Sequence, residues 1–283
     1  MSAFEVLFGF DMETDIGSGT SAHDGLIHGT PRVLDLMARH GVTGTFYFVG
    51  ASARAVPGSV RSVCDAGHEV GAHSLHHETV GDPLFPVPGA HPLLPEELLP
   101  RLERNTQWVE EVAGVRPVSF RAPRLFGSTA LCNALEQLGY VSDASYPFYR
   151  FRERLEPYHP DAAEWTRPGG LRLVEIPNFA DPDEGPGGHP PGRRGDQWPR
   201  FRTESPAAVL GMVDRFLAHL ERNGVRRKVV AFYFHPWEFH PMPEGEIASA
   251  EGTLRPAPWI VRHCGEKALE ALEALITGLK ARG

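Results

Sequence analysis

The sequence predicts an α/β protein built on a parallel sheet, open or closed into a barrel. Three observations predict it. Seven short apolar runs are strand-like, helices with apolar residues at helical spacing separate most of them, and no internal repeat or linker divides the chain. A chain of 283 residues, 41% hydrophobic, can bury a substantial core. The helix and strand faces are spread over its whole length, so one domain is expected over residues 1–283.

The elements follow in order. Residues 4–10 read as a buried strand. Thr30-Pro31 opens a helix as cap and first-turn proline, Val33, Leu34 and Met37 recur at helical spacing, and Gly41 stops it. Residues 45–49 are a β-branched and aromatic strand, a short helix ends near Gly67, and residues 68–72 form a third strand. Residues 97–112 carry Leu98, Leu102, Trp108, Val109 and Val112 on one helical face, with Pro100 acceptable only near the first turn. After a strand at 118–120, Leu131, Leu135 and Leu138 mark a helix closed by Gly139. Residues 140–143 and 171–176 are the next strands. Ser205-Pro206 then opens a helix with Val209, Val213, Phe216 and Leu220 inward. Residues 228–234 are the most strand-like run, and a last helix spans 265–281. Loops at 82–95, 181–199 and 241–258 concentrate the glycines and prolines, and long loops in a compact domain are usually functional walls or lids.

Composition narrows the function classes. A net charge of −8, from 28 Lys and Arg against 36 Asp and Glu, argues against a nucleic-acid or anionic-membrane grip. No run is long or apolar enough to span a bilayer. Cys64, Cys132 and Cys264 have no paired spacing, which suggests neither a disulfide framework nor a cysteine zinc site. The first residues lack a signal-peptide pattern, so a cytoplasmic protein is expected. The 14 histidines stand out, because with carboxylates they can share a metal.

Four constellations sit at strand ends. Asp11 and Glu13, two apart, converge from one strand face while Met12 turns away, and two such carboxylates need a cation or a shared proton. His73 and His77 have the i, i+4 spacing of two imidazoles on one helical face holding a metal, with His76 as the competing partner. Arg121 ends an apolar strand and can orient a carboxylate such as Asp11, or stand as a surface arginine before Pro123. His235 is delivered by a very apolar strand, ahead of Trp237 and Glu238. Glu238 either tunes His235 or faces solvent, the second being the commoner case. The apolar 82–95 loop is read as a pocket wall or an oligomer contact, and Arg193 and Arg194 as part of a solvated loop or as partners of an anionic substrate.

These residues together resemble the polysaccharide deacetylase family, the NodB-homology amide hydrolases related to carbohydrate esterase family four. Phe-Gly-Phe-Asp11-Met-Glu13, His73-Ser-x-x-His77, Phe-Arg121-Ala-Pro123 and Tyr-Phe-His235-Pro stand in the family's order, over about residues 4–238. The first motif resembles the branch with a carboxylate at i+2, rather than the commoner pair of adjacent aspartates. The resemblance implies a deformed (β/α)7 barrel and a divalent metal, usually zinc. It assigns Asp11 as general base, His235 as general acid, Arg121 as the residue orienting Asp11, and Glu13, His73 and His77 as metal ligands. Whether Asp11 also reaches the metal stays open. The family's Asp-rich motif with a tryptophan has no clear counterpart, and Asp143, Glu175 and Trp237 are the substitutes, giving with Pro123 the expected substrate contacts. The expected activity is N-deacetylation of an acylated sugar or small molecule. The alternatives are a linear or cyclic ureide hydrolase of the allantoinase kind and a catalytically dead metal- or sugar-binding module.

Overall fold

The computed structural model describes residues 3–87, 91–184, 193–249 and 252–283. Seven strands form one parallel sheet in the order β6-β5-β4-β3-β2-β1-β7. They are β1 (Glu5–Met12), β2 (Thr45–Phe48), β3 (Glu69–Ala72), β4 (Ser119–Phe120), β5 (Ser142–Asp143), β6 (Val174–Glu175) and β7 (Val229–Phe234). The sheet curls, and the seam between β6 and β7 is bridged where Asn178 pairs with Ala231. Phe179 donates its backbone N–H across the seam to Ala231 O at 2.9 Å. This is the deformed seven-stranded barrel expected of the sequence, with helices packed outside it.

Each strand candidate becomes a strand, but β4, β5 and β6 are only two residues long. The long strands β1 and β7 pair over six residues, from Glu5 with Val229 to Phe10 with Phe234. Both follow the two-residue period of a strand. Phe8, Phe10 and Met12 on β1, and Phe232 and Phe234 on β7, belong to the main hydrophobic cluster with the surrounding helices. Asp11 on β1 lines the cleft at the carboxyl end of the sheet, as does Tyr233 on β7, which also belongs to that cluster. Burial on both faces explains why β7 reads as one unbroken apolar run.

The helices Thr30–His40, Pro95–Ala113, Thr129–Leu138, Pro206–Arg222 and Glu266–Lys280 lie close to their expected bounds. Ser205 caps its helix as expected, its Oγ accepting from Ala208 N at 3.1 Å. Thr30 does not cap, because the chain is already wound through a π-helical turn, Gly25–Gly29, and runs straight into the next helix. A small hairpin, β8 (Ile247–Ser249) and β9 (Gly252–Leu254), occupies the 241–258 loop and was not expected. No helix among the described residues is long and apolar enough to cross a membrane.

Candidate active site

The carboxyl ends of β1, β3, β4 and β7 meet around an open cleft. Asp11, Glu13, His73, His77 and His235 all line it, joined by Trp237. Asp11 is the last inward residue of β1, and Glu13 follows directly, so the strand period turns both carboxylates to the same side while Met12 is fully buried in the core.

His73 and His77 come together through a loop rather than along a helical face. Ser74 and His77 have φ of 64° and 60°, a left-handed turn that folds the segment back on itself. The rings lie 5.3 Å apart. His76 points away: it is exposed and packs edge-on against Trp108 at 5.8 Å. Glu13, His73 and His77 each offer a ligand atom, all within 4.8 Å of one another.

This donor set fits a divalent metal, and His73 supplies the physical reason. Its Nδ1 lies 2.6 Å from the backbone oxygen of Arg121, which can only accept, so Nδ1 carries the proton. In the neutral ring Nε2 then presents a lone pair, facing Glu13 Oε2 at 3.8 Å and Asp11 Oδ2 at 4.0 Å. Three acceptors converging on one buried point call for a cation or a shared proton between them. His77 Nε2 lies 2.6 Å from the same Glu13 oxygen. Burial works to raise the Glu13 pKa, but His77, His73 and His235 overcome it and hold the carboxyl well below the usual range. Burial lowers the His77 pKa, against the pull of Glu13, and so favours the neutral imidazole a metal needs.

Asp11 is held by Arg121. Nη1 of the guanidinium donates to Asp11 Oδ1 at 2.8 Å, while Nε reaches Ala144 O at 3.3 Å and Nη2 reaches Asn178 Oδ1 and Phe232 O, each at 3.4 Å. The ring of Tyr47 lies 4.4 Å from its charge centre. Arg121 is therefore fully buried inside the barrel, not a surface arginine. Oδ2, the free oxygen of Asp11, faces the cleft 4.0 Å from both His73 Nε2 and His235 Nε2.

His235 stands opposite, at the end of β7. Glu238 is fully buried and does not face solvent; its Oε2 accepts from the His235 backbone N at 2.9 Å and from Nδ1 at 3.2 Å. The other oxygen accepts from Arg202 Nε at 2.6 Å and Trp198 Nε1 at 3.0 Å. Burial alone would lower the His235 pKa, but Glu238, Glu13 and Asp11 raise it. A proton on Nδ1 and a raised pKa suit a proton donor whose Nε2 points into the cleft. Glu238 three residues after His235 in a tight turn is a capping-box spacing, which was legible in the sequence. No sequence signal ties Arg202 and Trp198 to the same carboxylate.

The expected substrate contacts divide. Trp237 lines the cleft and its Nε1 donates to Glu13 Oε1 at 3.3 Å. Pro123, Asp143 and Glu175 stand apart from the lining. On the two-residue strands β5 and β6, Asp143 and Glu175 turn toward each other; Asp143 accepts from Ser145 Oγ at 2.5 Å, and Glu175 Oε1 accepts from the backbone N–H groups of Ser145 and Tyr146 at 3.0 and 2.7 Å. Cys132 completes this second cluster. Burial pushes Asp143 up to about 6 and raises Glu175 and Cys132 well above their usual values, so the cluster favours protons, the reverse of Glu13. The long loops supply the walls: Phe85 and Val87 from the 82–95 loop, and Arg193 and Trp198 from the 181–199 loop. Residues 88–90 and 185–192 of those loops lie outside the described residues.

A family model described as polysaccharide deacetylase matches residues 21–142, which include His73, His77 and Arg121. Over these residues the chain is similar to the polysaccharide deacetylase family. Asp11, Glu13 and His235 fall outside the matched segment, and the barrel brings them to it. A peptidoglycan-N-acetylglucosamine deacetylase from Bacillus cereus is 26% identical over 145 residues, 51% of this chain and 58% of that protein. The chain spans about half the length of the curated relatives it matches. A crystal structure described as a polysaccharide deacetylase from Mycobacterium smegmatis shares the polysaccharide deacetylase fold at a TM-score of 0.63 and 22% identity, over 98% of this chain and 84% of that one. An allantoinase structure shares the fold at a TM-score of 0.62 and 14% identity, over 98% and 84%.

Proposed function

We propose that the protein is a metal-dependent amide hydrolase that removes the acyl group from an N-acylated sugar or small molecule. One observation carries the reading: Asp11 Oδ2 lies 4.0 Å from His73 Nε2 on one side and from His235 Nε2 on the other, so a base and an acid flank a single donor set. Glu13, His73 and His77 would hold the metal, and their mixed nitrogen and oxygen donors suit zinc. A divalent ion there supplies Lewis acidity toward an acyl oxygen and makes water easier to deprotonate.

The chain's own residues do the rest. Arg121 occupies one oxygen of Asp11, leaving Oδ2 to take the proton of the attacking water. His235, held by Glu238, delivers a proton through Nε2 to the departing amine nitrogen. Trp237 and Trp198 flank the His235 ring at 5.3 Å each and exclude bulk water from that transfer.

The similarity to a peptidoglycan deacetylase supports an acetamido sugar as the first substrate class. The test is release of acetate and free amine from N-acetylglucosamine oligomers by the zinc-loaded protein. His235→Ala is expected to lose roughly 10²- to 10⁴-fold in turnover while keeping its metal. Full activity in that variant would remove the acid assignment. Opening of a ureide with no release of acetate would replace deacetylation with the ureide reaction.

A further inference from the structure

Two guanidinium groups line the cleft, and their surroundings differ. Arg193 is answered: its Nη1 lies 3.7 Å from Asp196 Oδ2 and 3.2 Å from the Tyr233 hydroxyl, and its charge centre packs over Phe85 and Trp198 at 4.9 and 5.6 Å. Arg124 is not. Its side chain makes one hydrogen bond, from Nη1 to the backbone oxygen of His77 at 3.4 Å, and among the described residues no carboxylate comes within ion-pair distance of it. Burial lowers its pKa, Glu13 works against that, and the neighbouring Arg193 lowers it further, so the two cations repel each other across the cleft.

The backbone at this point is unusual. Arg124 has φ 61° and ψ 12°, and Leu125 follows at φ 60°, two consecutive non-glycine residues in the left-handed region. Such strain persists only where the surrounding fold holds it, and it clusters at ligand-binding positions. Here the turn after Pro123 sets Arg124 and Leu125 on the cleft lining beside Glu13 and His77, where Phe85, Val87 and Ile260 are apolar neighbours. A half-buried cation whose one attractive carboxylate, Glu13, lies beyond ion-pair distance and is shared with His77 gains from a ligand that brings its own negative charge.

We propose that Arg124 is a specificity-determining residue that binds an anionic group of the substrate, a carboxylate or a phosphate carried near the acylated nitrogen. The proposal rests on the amide-hydrolase reading of the same cleft and narrows its substrate class to anionic N-acyl compounds. Asp196 and Tyr233 occupy Arg193, so Arg193 forms a wall and Arg124 makes the ionic contact.

The test compares three acetamido sugars by calorimetric titration: neutral N-acetylglucosamine, N-acetylmuramic acid with its added carboxylate, and N-acetylglucosamine 6-phosphate. The protein is expected to bind at least one anionic sugar roughly 10-fold or more tightly than the neutral one, the scale of a charged hydrogen bond. Which of the two prevails identifies the anion. Arg124→Gln removes the preference, and Arg124→Lys, which keeps the charge, retains part of it. Equal affinities, no measurable binding of any of the three, or a preference that survives in Arg124→Gln overturns the proposal. Binding is read separately from amine release. A protein with the anion preference that releases no amine from any of the three supports Arg124 and counts against the hydrolase reading.

Discussion

Glu238 Oε2 accepts both the backbone N–H and the Nδ1–H of His235, so one carboxylate fixes the position and the tautomer of the ring. Its second oxygen is held by Arg202 and Trp198, from a segment more than thirty residues upstream. Glu238→Gln is expected to lower kcat roughly 10-fold or more, because His235, the proposed acid, loses its anchor while Glu13, His73 and His77 stay intact. It also leaves Arg202 buried without its counter-charge, which costs roughly 3 kcal/mol of stability. Steady-state kinetics, thermal unfolding and metal content separate these effects. An unchanged kcat would mean that something other than Glu238 orients His235.

Arg121 depends on a residue with no side chain. A Cβ on Gly9 would lie 2.3 and 2.4 Å from the two terminal nitrogens of Arg121, closer than any real contact. Gly9→Ala is therefore expected to displace the guanidinium from Asp11 and lower kcat roughly 10- to 100-fold, although the methyl touches neither substrate nor ligand. Full turnover in a folded Gly9→Ala protein would show that Asp11 needs no such support.

His73 carries the strongest geometric case for the metal. His73→Ala removes one of three donors, and elemental analysis of the purified variant is expected to find it largely free of zinc while the original chain retains one equivalent. Undiminished metal in the variant would sink the ligand assignment for His73.

Stability should respond to pH through Asp143 and Glu175. Burial raises both carboxyls, Asp143 to about 6 and Glu175 well above its usual value, so at these two sites the folded chain binds more protons than the unfolded one from about pH 4 upward. Their contribution to stability is fully present below the unfolded pKa and is lost as pH rises through the folded values. Glu175→Gln keeps the shape and removes one titrating group, so the slope of Tm against pH between 4 and 7 should flatten relative to the original chain. An identical slope would assign that dependence to other groups, Asp196 among them, which burial also pushes up to about 6.

Much of the arrangement was legible in the residues. The two-residue period of β1 put Asp11 and Glu13 on one side, and the apolar run of β7 led to His235. The capping-box spacing of His235 and Glu238 was also present, but spacing alone does not distinguish a buried anchor from a solvated acid. The pair of histidines was legible as a pair; the helix that the spacing suggested was not formed, because Ser74 and His77 take left-handed backbone angles that no local pattern announces.

Strand number, helix order and the identity of the ionisable residues at the strand ends were determined by the sequence itself, since periodicity, capping and turn chemistry act over a few neighbouring residues. Tertiary structure decided which of those residues meet. Arg121 joins Asp11 across 110 positions, and Arg202 joins Glu238 across 36, through a curled sheet whose geometry is collective. Only that closure drew Asp143 and Glu175 away from the cleft into a proton-holding pair and left Arg124 in it without an ion pair among the described residues. Such outcomes depend on the balance of burial, charge and backbone strain over the whole barrel, a balance no local stretch of residues contains.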